Sequence, residues 1–363
     1  VSICALQDGD VLSVGGVKLK LKVITKQQEQ LQSKLRTRAS GPVTTFFNLL
    51  ILTAFQLLAI IGFALHDAVT DSALVTGGFA GIIVSQWVLY VFYIVIRRSS
   101  FEMETLAFFL CTLGMAAIAT VDPAEALKQL IAMVVGVLVY QPVDRSLRQL
   151  ERAKRVRYLA VAAGLGFLLL TLAGGTEYYG AKCWIVIGSV SLQPSELSKV
   201  CFVFAGASTM DRIMNKRNLI AFIAYSVVIC GCLAVMNDFG TALIFFCSFL
   251  IIAYLRSGSM GTVALAITAL VIAGILALRI APHAMRRFAT WHHIWDDPFD
   301  SGYQQAQSLM CIASGGLYGL GPGKGFMRKV FAADSDVVFA TISEEWGLLL
   351  AMMAVLCVCA FGF

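Results

Sequence analysis

Long apolar stretches, each close to the length of a membrane-spanning helix, dominate this chain. Ten can be placed: 45–65, 74–96, 103–120, 124–141, 157–174, 193–209, 218–236, 239–255, 261–281 and 338–361. A hydrocarbon core of about 30 Å takes roughly 20 apolar residues as helix. Lipid offers no hydrogen-bond partners, so a span must be a helix or a closed barrel. These runs are too long and alternate too little for barrel strands. The pattern predicts an all-α polytopic membrane protein with about ten transmembrane helices. Two stretches break the pattern. Residues 282–337 form a large loop before the last segment, and residues 1–24 read as β structure. Val11-Leu12-Ser13-Val14 and the Lys-alternating Val17–Val23 flank Gly15-Gly16, which predicts a hairpin. Asp8-Gly9-Asp10 supplies a turn before it.

Composition agrees with the membrane reading. Apolar residues make up 58% of the 363 and charged residues 14%, against about 25% charged in soluble domains. Mean hydropathy is +0.80. The net charge of +6 does not point to nucleic acid, because the cations sort by loop. One side holds Lys26, Lys34, Arg36 and Arg38 of a basic linker (25–44), then Arg97 and Arg98. It continues with Arg145, Arg148, Arg152, Lys154, Arg155 and Arg157, then Arg212, Lys216 and Arg217, then Arg256. The opposite short loops hold Lys128 and Lys182. The positive-inside rule then puts the N-terminus in the cytosol and loops 174–192 and 282–337 outside. Seven of the ten cysteines, among them Cys111, Cys230 and Cys357, fall in apolar runs and read as small hydrophobes rather than disulfide partners. The chain starts at Val1 and stops at Phe363 as the tenth segment reaches the cytosolic side, so it is expected to be a piece of a longer protein.

Four clusters carry chemistry-bearing residues. The first is the large loop, with Arg286-Arg287, then Trp291-His292-His293-Ile294-Trp295-Asp296-Asp297-Pro298-Phe299, then Tyr303, Gln304, Gln307 and Ser308. An acidic residue held there by proline and aromatics suits a general base. The His and Asp residues are also metal-ligand types, although adjacent histidines make poor geometry. Simple solvation of an outer loop is the third reading. Gly323-Lys324 lacks the remaining residues of a phosphate-binding loop, since Tyr318 and Gly325 stand where Gly and Ser or Thr are needed. Backbone amides of such a glycine-rich turn still suit an anion.

The second cluster is Gln193-Pro194-Ser195-Glu196-Leu197-Ser198-Lys199, preceded by Lys182, Cys183 and Trp184. It reads either as a helix start with a Glu196–Lys199 pair or as a functional group at membrane depth. The third is Asn237-Asp238-Phe239-Gly240-Thr241, a break in which Asp238 is either an N-cap or a functional acid. The fourth is Glu344-Glu345-Trp346-Gly347, whose two carboxylates need partners, with Arg286, Arg287 and Lys329 as candidates.

Taken in their order along the chain, the four clusters resemble the SEDS family (FtsW, RodA and SpoVE). Gly180-Ala181 with Trp184 and Gln193-Pro194-Ser195-Glu196 looks like its first outer loop and following helix. Asp238-Phe239-Gly240-Thr241 is similar to its Pro-Asp-Phe-Gly-Thr break. Asp297-Pro298-Phe299 with Gly302-Tyr303-Gln304 and Gln307-Ser308 is similar to its large outer loop. Ser314-Gly315-Gly316-Leu317 and Phe339-Ala340 with Glu344–Gly347 complete the series. The resemblance makes 97–363 the family core, 45–96 two additional helices, and the hairpin the possible end of a forkhead-associated domain. It implies a peptidoglycan glycosyltransferase, with lipid II and a polyprenyl-pyrophosphate glycan as substrates and a class B penicillin-binding transpeptidase as partner.

The resemblance implies that Asp297 takes the catalytic position. Arg286, Arg287, Gln193, Ser195, Glu196, Lys199, Asp238, Thr241, Tyr303, Gln304, Gln307, Ser308, Glu344 and Glu345 are the candidate substrate contacts. A divalent cation (Mg or Mn) at the outer loop is the candidate cofactor, and no dedicated metal ligands are assigned. The chain departs from the family pattern at Asn237 (usually Pro), at Lys182-Cys183 (commonly two arginines) and at Asp334-Ser335-Asp336 (typically His-Thr-Asp). The family's last two spans do not appear, so this chain alone is expected to be inactive. A lipid II flippase or other transporter, and a non-catalytic scaffold for the transpeptidase, are the rival functions.

Overall fold

The computed structural model describes residues 11–14, 17–20, 41–65, 72–98, 101–147, 150–178, 181–187, 190–209, 216–257, 260–261, 264, 267–271, 274, 293–300 and 302–362. Near the N-terminus β1 (Val11–Val14) pairs antiparallel with β2 (Val17–Lys20), Val14 opposite Val17, as the Gly-Gly turn predicts. The helices that follow are α1 (Pro42–Ala64), α2 (Ser72–Val95), α3 (Glu102–Val121), α4 (Ala126–Leu147) and α5 (Leu150–Gly174). After a small sheet come α6 (Pro194–Thr209), α7 (Lys216–Val235) and α8 (Phe239–Ser257). The large loop contributes α9 (Tyr303–Gly315), and α10 (Val338–Trp346) and α11 (Leu348–Ala360) end the chain. Five of these helices are long and apolar enough to cross a membrane, and α7, α8 and α11 carry shorter apolar stretches. The protein is thus a multi-pass α-helical membrane protein. Its chain divides into two compact units, residues 1–132 with 304–363, and residues 133–303.

Three differences from the predicted elements have physical reasons. Helix α5 begins at Leu150, seven residues before the predicted span. Hydropathy reports the length buried in lipid, whereas backbone hydrogen bonding carries a helix on into its polar flank. The segment at 338–361 is two helices rather than one, because Gly347 sits at φ +89°, a left-handed conformation that other residues rarely adopt. The polar α10 therefore stands apart from the apolar α11. The loop at 174–192 contains an antiparallel sheet, β3 (Thr176–Tyr178), β4 (Ala181–Ile187) and β5 (Val190–Leu192). The run Trp184-Ile185-Val186-Ile187, rich in β-branched residues, is the signal for it. The predicted span 261–281 lies mostly outside the described residues.

In the first unit, α1, α2 and α3 pack on one another through a buried polar knot. The Gln56 and Gln86 amides donate to each other at 3.1 and 3.0 Å. Gln56 also donates to Thr112 at 2.8 Å, and Gln86 to Thr53 at 2.9 Å. Both glutamines are fully buried. Such groups persist in a spanning bundle only when every donor has an acceptor. Gln56→Leu is expected to lower stability by about 1–2 kcal/mol, the range for interhelical hydrogen bonds in lipid, as read by reversible unfolding in mixed micelles. The knot joins α1 and α2 to α3. Beyond it Phe55 and Phe63 of α1 pack against Trp346, with ring centroids 5.5 and 6.1 Å away.

In the second unit, α5 packs along α6, and α7 and α8 complete the bundle. Its core joins Leu168, Phe202, Phe222, Tyr225, Ile229 and Phe245. Phe202 is the hub, stacked on Phe222 at 5.2 Å and meeting the edge of Phe245 at 5.2 Å.

Candidate functional site

The two adjacent carboxylates of α10 are buried, each 2% exposed. Their partners are backbone amides and one hydroxyl. Glu344 accepts from Phe326 N–H at 2.9 Å through one oxygen and from Met327 N–H at 2.9 Å through the other. Glu345 accepts from Gly325 N–H at 3.1 Å and from the Thr120 hydroxyl at 2.6 Å. The turn is tied down as well, since Leu320 and Gly321 N–H donate to the carbonyls of Glu344 and Glu345. Of the expected partners Arg286, Arg287 and Lys329, Lys329 is not among these contacts. Lys329 lies over the Phe326 ring at 5.2 Å, and the two arginines fall outside the described residues.

The glycine-rich turn does receive an anion, but the anion is the protein's own carboxylate pair. Burial pushes the Glu345 carboxyl above its usual range, against the opposing pull of Thr120 and the Gly323 and Gly325 amides. Burial, with the neighbouring Glu344, also pushes the Cys311 thiol up to about 12. A Cβ on Gly325 would stand 2.6 Å from a Glu344 oxygen and 3.0 Å from Glu345 Cγ. Gly325→Ala is therefore expected to cost about 1–3 kcal/mol by overpacking, read as a lowered unfolding midpoint.

In the second unit the Asp238 break is a helix cap. One Asp238 oxygen accepts from Thr241 N–H at 3.1 Å, and the Cys183 thiol donates to the other at 3.4 Å. Asn237 precedes it at φ +58°, a conformation that Asn tolerates better than most residues. Burial and the Asp238 charge hold the Cys183 thiol up at about 12, so it stays neutral. Lys182 Nζ donates to Leu172 O at 2.7 Å, a cation near the carbonyl end of α5. Its backbone N–H donates to Met236 O at 3.0 Å, which ties β4 to the end of α7.

At the start of α6, Glu196 and Lys199 form the expected ion pair at 2.7 Å. Gln193 is half-buried, and its carbonyl accepts from Glu196 N–H. Ser195 is fully buried and its hydroxyl has no protein partner, a feature that residue type alone did not reveal.

The described part of the outer loop, residues 293–300 and Gly302, is a series of turns ahead of α9. Asp297 lies on its exposed surface, and its carbonyl accepts from Gly302 N–H at 3.0 Å. The neighbouring Asp296 pairs with His293 at 2.8 Å. On α9, Tyr303 and Gln307 are half-buried. Gln304 donates to Phe331 O at 2.9 Å, and Ser308 returns its hydroxyl to Gln304 O at 2.7 Å. The structure gives these last two an architectural role. Among the described residues, no three His, Cys, Asp or Glu side chains converge as metal ligands.

Residues 102–363 match the family described as cell cycle protein, FTSW_RODA_SPOVE. The chain belongs to the FtsW/RodA/SpoVE family. Similar proteins include the peptidoglycan glycosyltransferase RodA of Mycobacterium tuberculosis H37Rv, 31% identical over 244 residues, which are 62% of this chain and 52% of that one. The probable peptidoglycan glycosyltransferase FtsW of Tolumonas auensis is 33% identical over 228 residues, 56% of this chain and 58% of that one. The chain thus spans about half the length of the curated relatives it matches. One solved structure shares the fold at TM-score 0.53 and 22% identity, covering 70% of this chain and 74% of its own. It is described as "Structural coordination of polymerization and crosslinking by a peptidoglycan synthase complex". The FtsW/RodA/SpoVE match begins at Glu102, the first residue of α3, and leaves α1, α2 and the hairpin outside it.

Proposed function

We propose that the protein is a peptidoglycan glycosyltransferase that polymerises lipid II, with Asp297 as the general base. The observation that carries this reading is the exposed Asp297 on the loop ahead of α9, in a chain whose curated relatives bear that activity in their names. The buried acids have other duties. Glu344 and Glu345 hold the glycine-rich turn, and Glu104 pairs with Arg98 at 2.8 Å. A transporter keeps its working ionisable groups deep in the bundle. Here the exposed acidic loop favours chemistry at the membrane surface instead.

In the proposed reaction the 4-hydroxyl of an acceptor lipid II sugar attacks the anomeric carbon of the lipid-linked donor. Asp297 takes the hydroxyl proton as the new glycosidic bond forms. The bond from the anomeric carbon to the pyrophosphate oxygen breaks, and undecaprenyl pyrophosphate leaves with the electron pair. Arg286 and Arg287 are proposed to balance its charge. A divalent cation (Mg or Mn) at the outer-loop site is proposed to share that role. The basic loops are assigned to the cytosol and the Asp297 loop to the opposite face. A class B penicillin-binding transpeptidase is the proposed partner.

The test is to reconstitute the protein with that transpeptidase in vesicles holding fluorescent lipid II, following polymer on gels and translocation across the bilayer. Polymer supports the glycosyltransferase reading. Translocation without polymer turns the reading to a flippase, and neither leaves a scaffold.

A further inference from the structure

We propose that a cleft between α5, α6 and α7 binds the phosphate of an anionic glycerophospholipid, with Arg157 as its ligand. The cleft has a volume of about 140 Å³, and Arg157, Tyr158, Val161, Ala205, Phe222 and Tyr225 border it. Arg157 stands at the start of the apolar stretch Val156–Gly174. Its Nη2 donates to the Tyr158 hydroxyl at 2.7 Å, and the guanidinium lies over that ring at 4.6 Å. Its Nε–H is buried and has no protein acceptor. The hydroxyl of the buried Tyr225, which borders the same cleft, also has none. A half-buried guanidinium bordering an apolar-walled space is costly unless an anion meets it. An occupant with acceptor oxygens at one end and hydrocarbon at the other matches both the Arg157 side chain and the walls. A phosphate suits the planar guanidinium edge. Exposed apolar residues of α7, Ile220 and Ile223 among them, offer a bed for acyl chains.

Charge selects the anion. The start of α5, the end of α6 and the start of α7 lie at the same end of this bundle, since successive helices run antiparallel. The sequence adjoining those helix ends carries Arg148, Arg152, Lys154 and Arg155 on one side and Arg212, Lys216 and Arg217 on the other. Basic pockets between helices at such an end attract anionic headgroups. A free phosphate shares the headgroup chemistry but has no use for the apolar walls. The site lies at the far end of α5 from the β3–β5 sheet.

Native mass spectrometry of the purified protein tests the idea, with dioleoylphosphatidylglycerol, dioleoylphosphatidylcholine and inorganic phosphate as probes. Wild type is expected to retain phosphatidylglycerol in preference to phosphatidylcholine, and millimolar phosphate should not displace it. Arg157→Gln should lower that retention about fivefold, the effect of one juxtamembrane cation. Ala221→Phe fills the cleft from an exposed wall position and leaves Arg157 in place, so it should do the same and decides the matter if the first variant does not fold. Unchanged phosphatidylglycerol retention in either folded variant overturns the proposal, as does equal retention of the two lipids by wild type. Displacement by phosphate overturns the lipid assignment in favour of a free-anion site.

Discussion

Glu344→Ala is expected to destabilise the protein by about 2–6 kcal/mol, because it strips the acceptor from two backbone donors at about 1–3 kcal/mol each. Those donors are the N–H groups of Phe326 and Met327, both 2.9 Å from the carboxylate, and Met327 is fully buried. Glu344→Gln keeps one acceptor oxygen but turns an amide NH₂ towards the other donor, so it should fall between wild type and alanine. Unfolding in mixed micelles, followed by tryptophan fluorescence, orders the three proteins, and hydrogen exchange at Phe326 and Met327 localises the defect. An alanine variant as stable as wild type but inactive would show instead that Glu344 is held for chemistry.

How far the sequence anticipates this structure depends on the range of the interaction. The spanning helices α1 to α3 follow the hydropathy pattern within a few residues, because transfer into lipid is a sum over contiguous side chains. The Asp238 cap and the Glu196–Lys199 pair are equally legible, being contacts between residues three apart. The partners of Glu344 and Glu345 are not. They come from amides 17 to 20 residues away and from the Thr120 hydroxyl on α3, and an amide donor leaves no trace in side-chain identity. The nearest signal is the run Gly319 to Gly325, which marks a turn rich in exposed N–H groups without saying which anion it meets. The Gln56–Gln86 knot escaped for a related reason: a glutamine in an apolar helix announces a need for a partner, but the partner is set by packing. The sheet at 176–192 was hidden by brevity, since its strands are three to seven residues long. Glu344, Gln304 and Ser308, candidates for substrate contact by residue type, also bond to protein groups, which residue type does not reveal.

Asp297→Asn is expected to lower lipid II polymerisation by about 10²–10⁴-fold, the contribution of a positioned general base. Asparagine matches the shape of the side chain but does not accept the acceptor's proton. The side chain is exposed on a turn, so the stability change should stay within about 0.5 kcal/mol. Loss of activity at unchanged stability separates this variant from Glu344→Ala, in which both fall together. The most direct measurement is a gel assay of labelled lipid II with the wild-type and Asp297→Asn proteins side by side, each with a class B transpeptidase and checked for equal unfolding midpoints. Glycan chains from wild type and none from Asp297→Asn is the predicted result. Chains of equal yield and length from both would contradict Asp297 as the base.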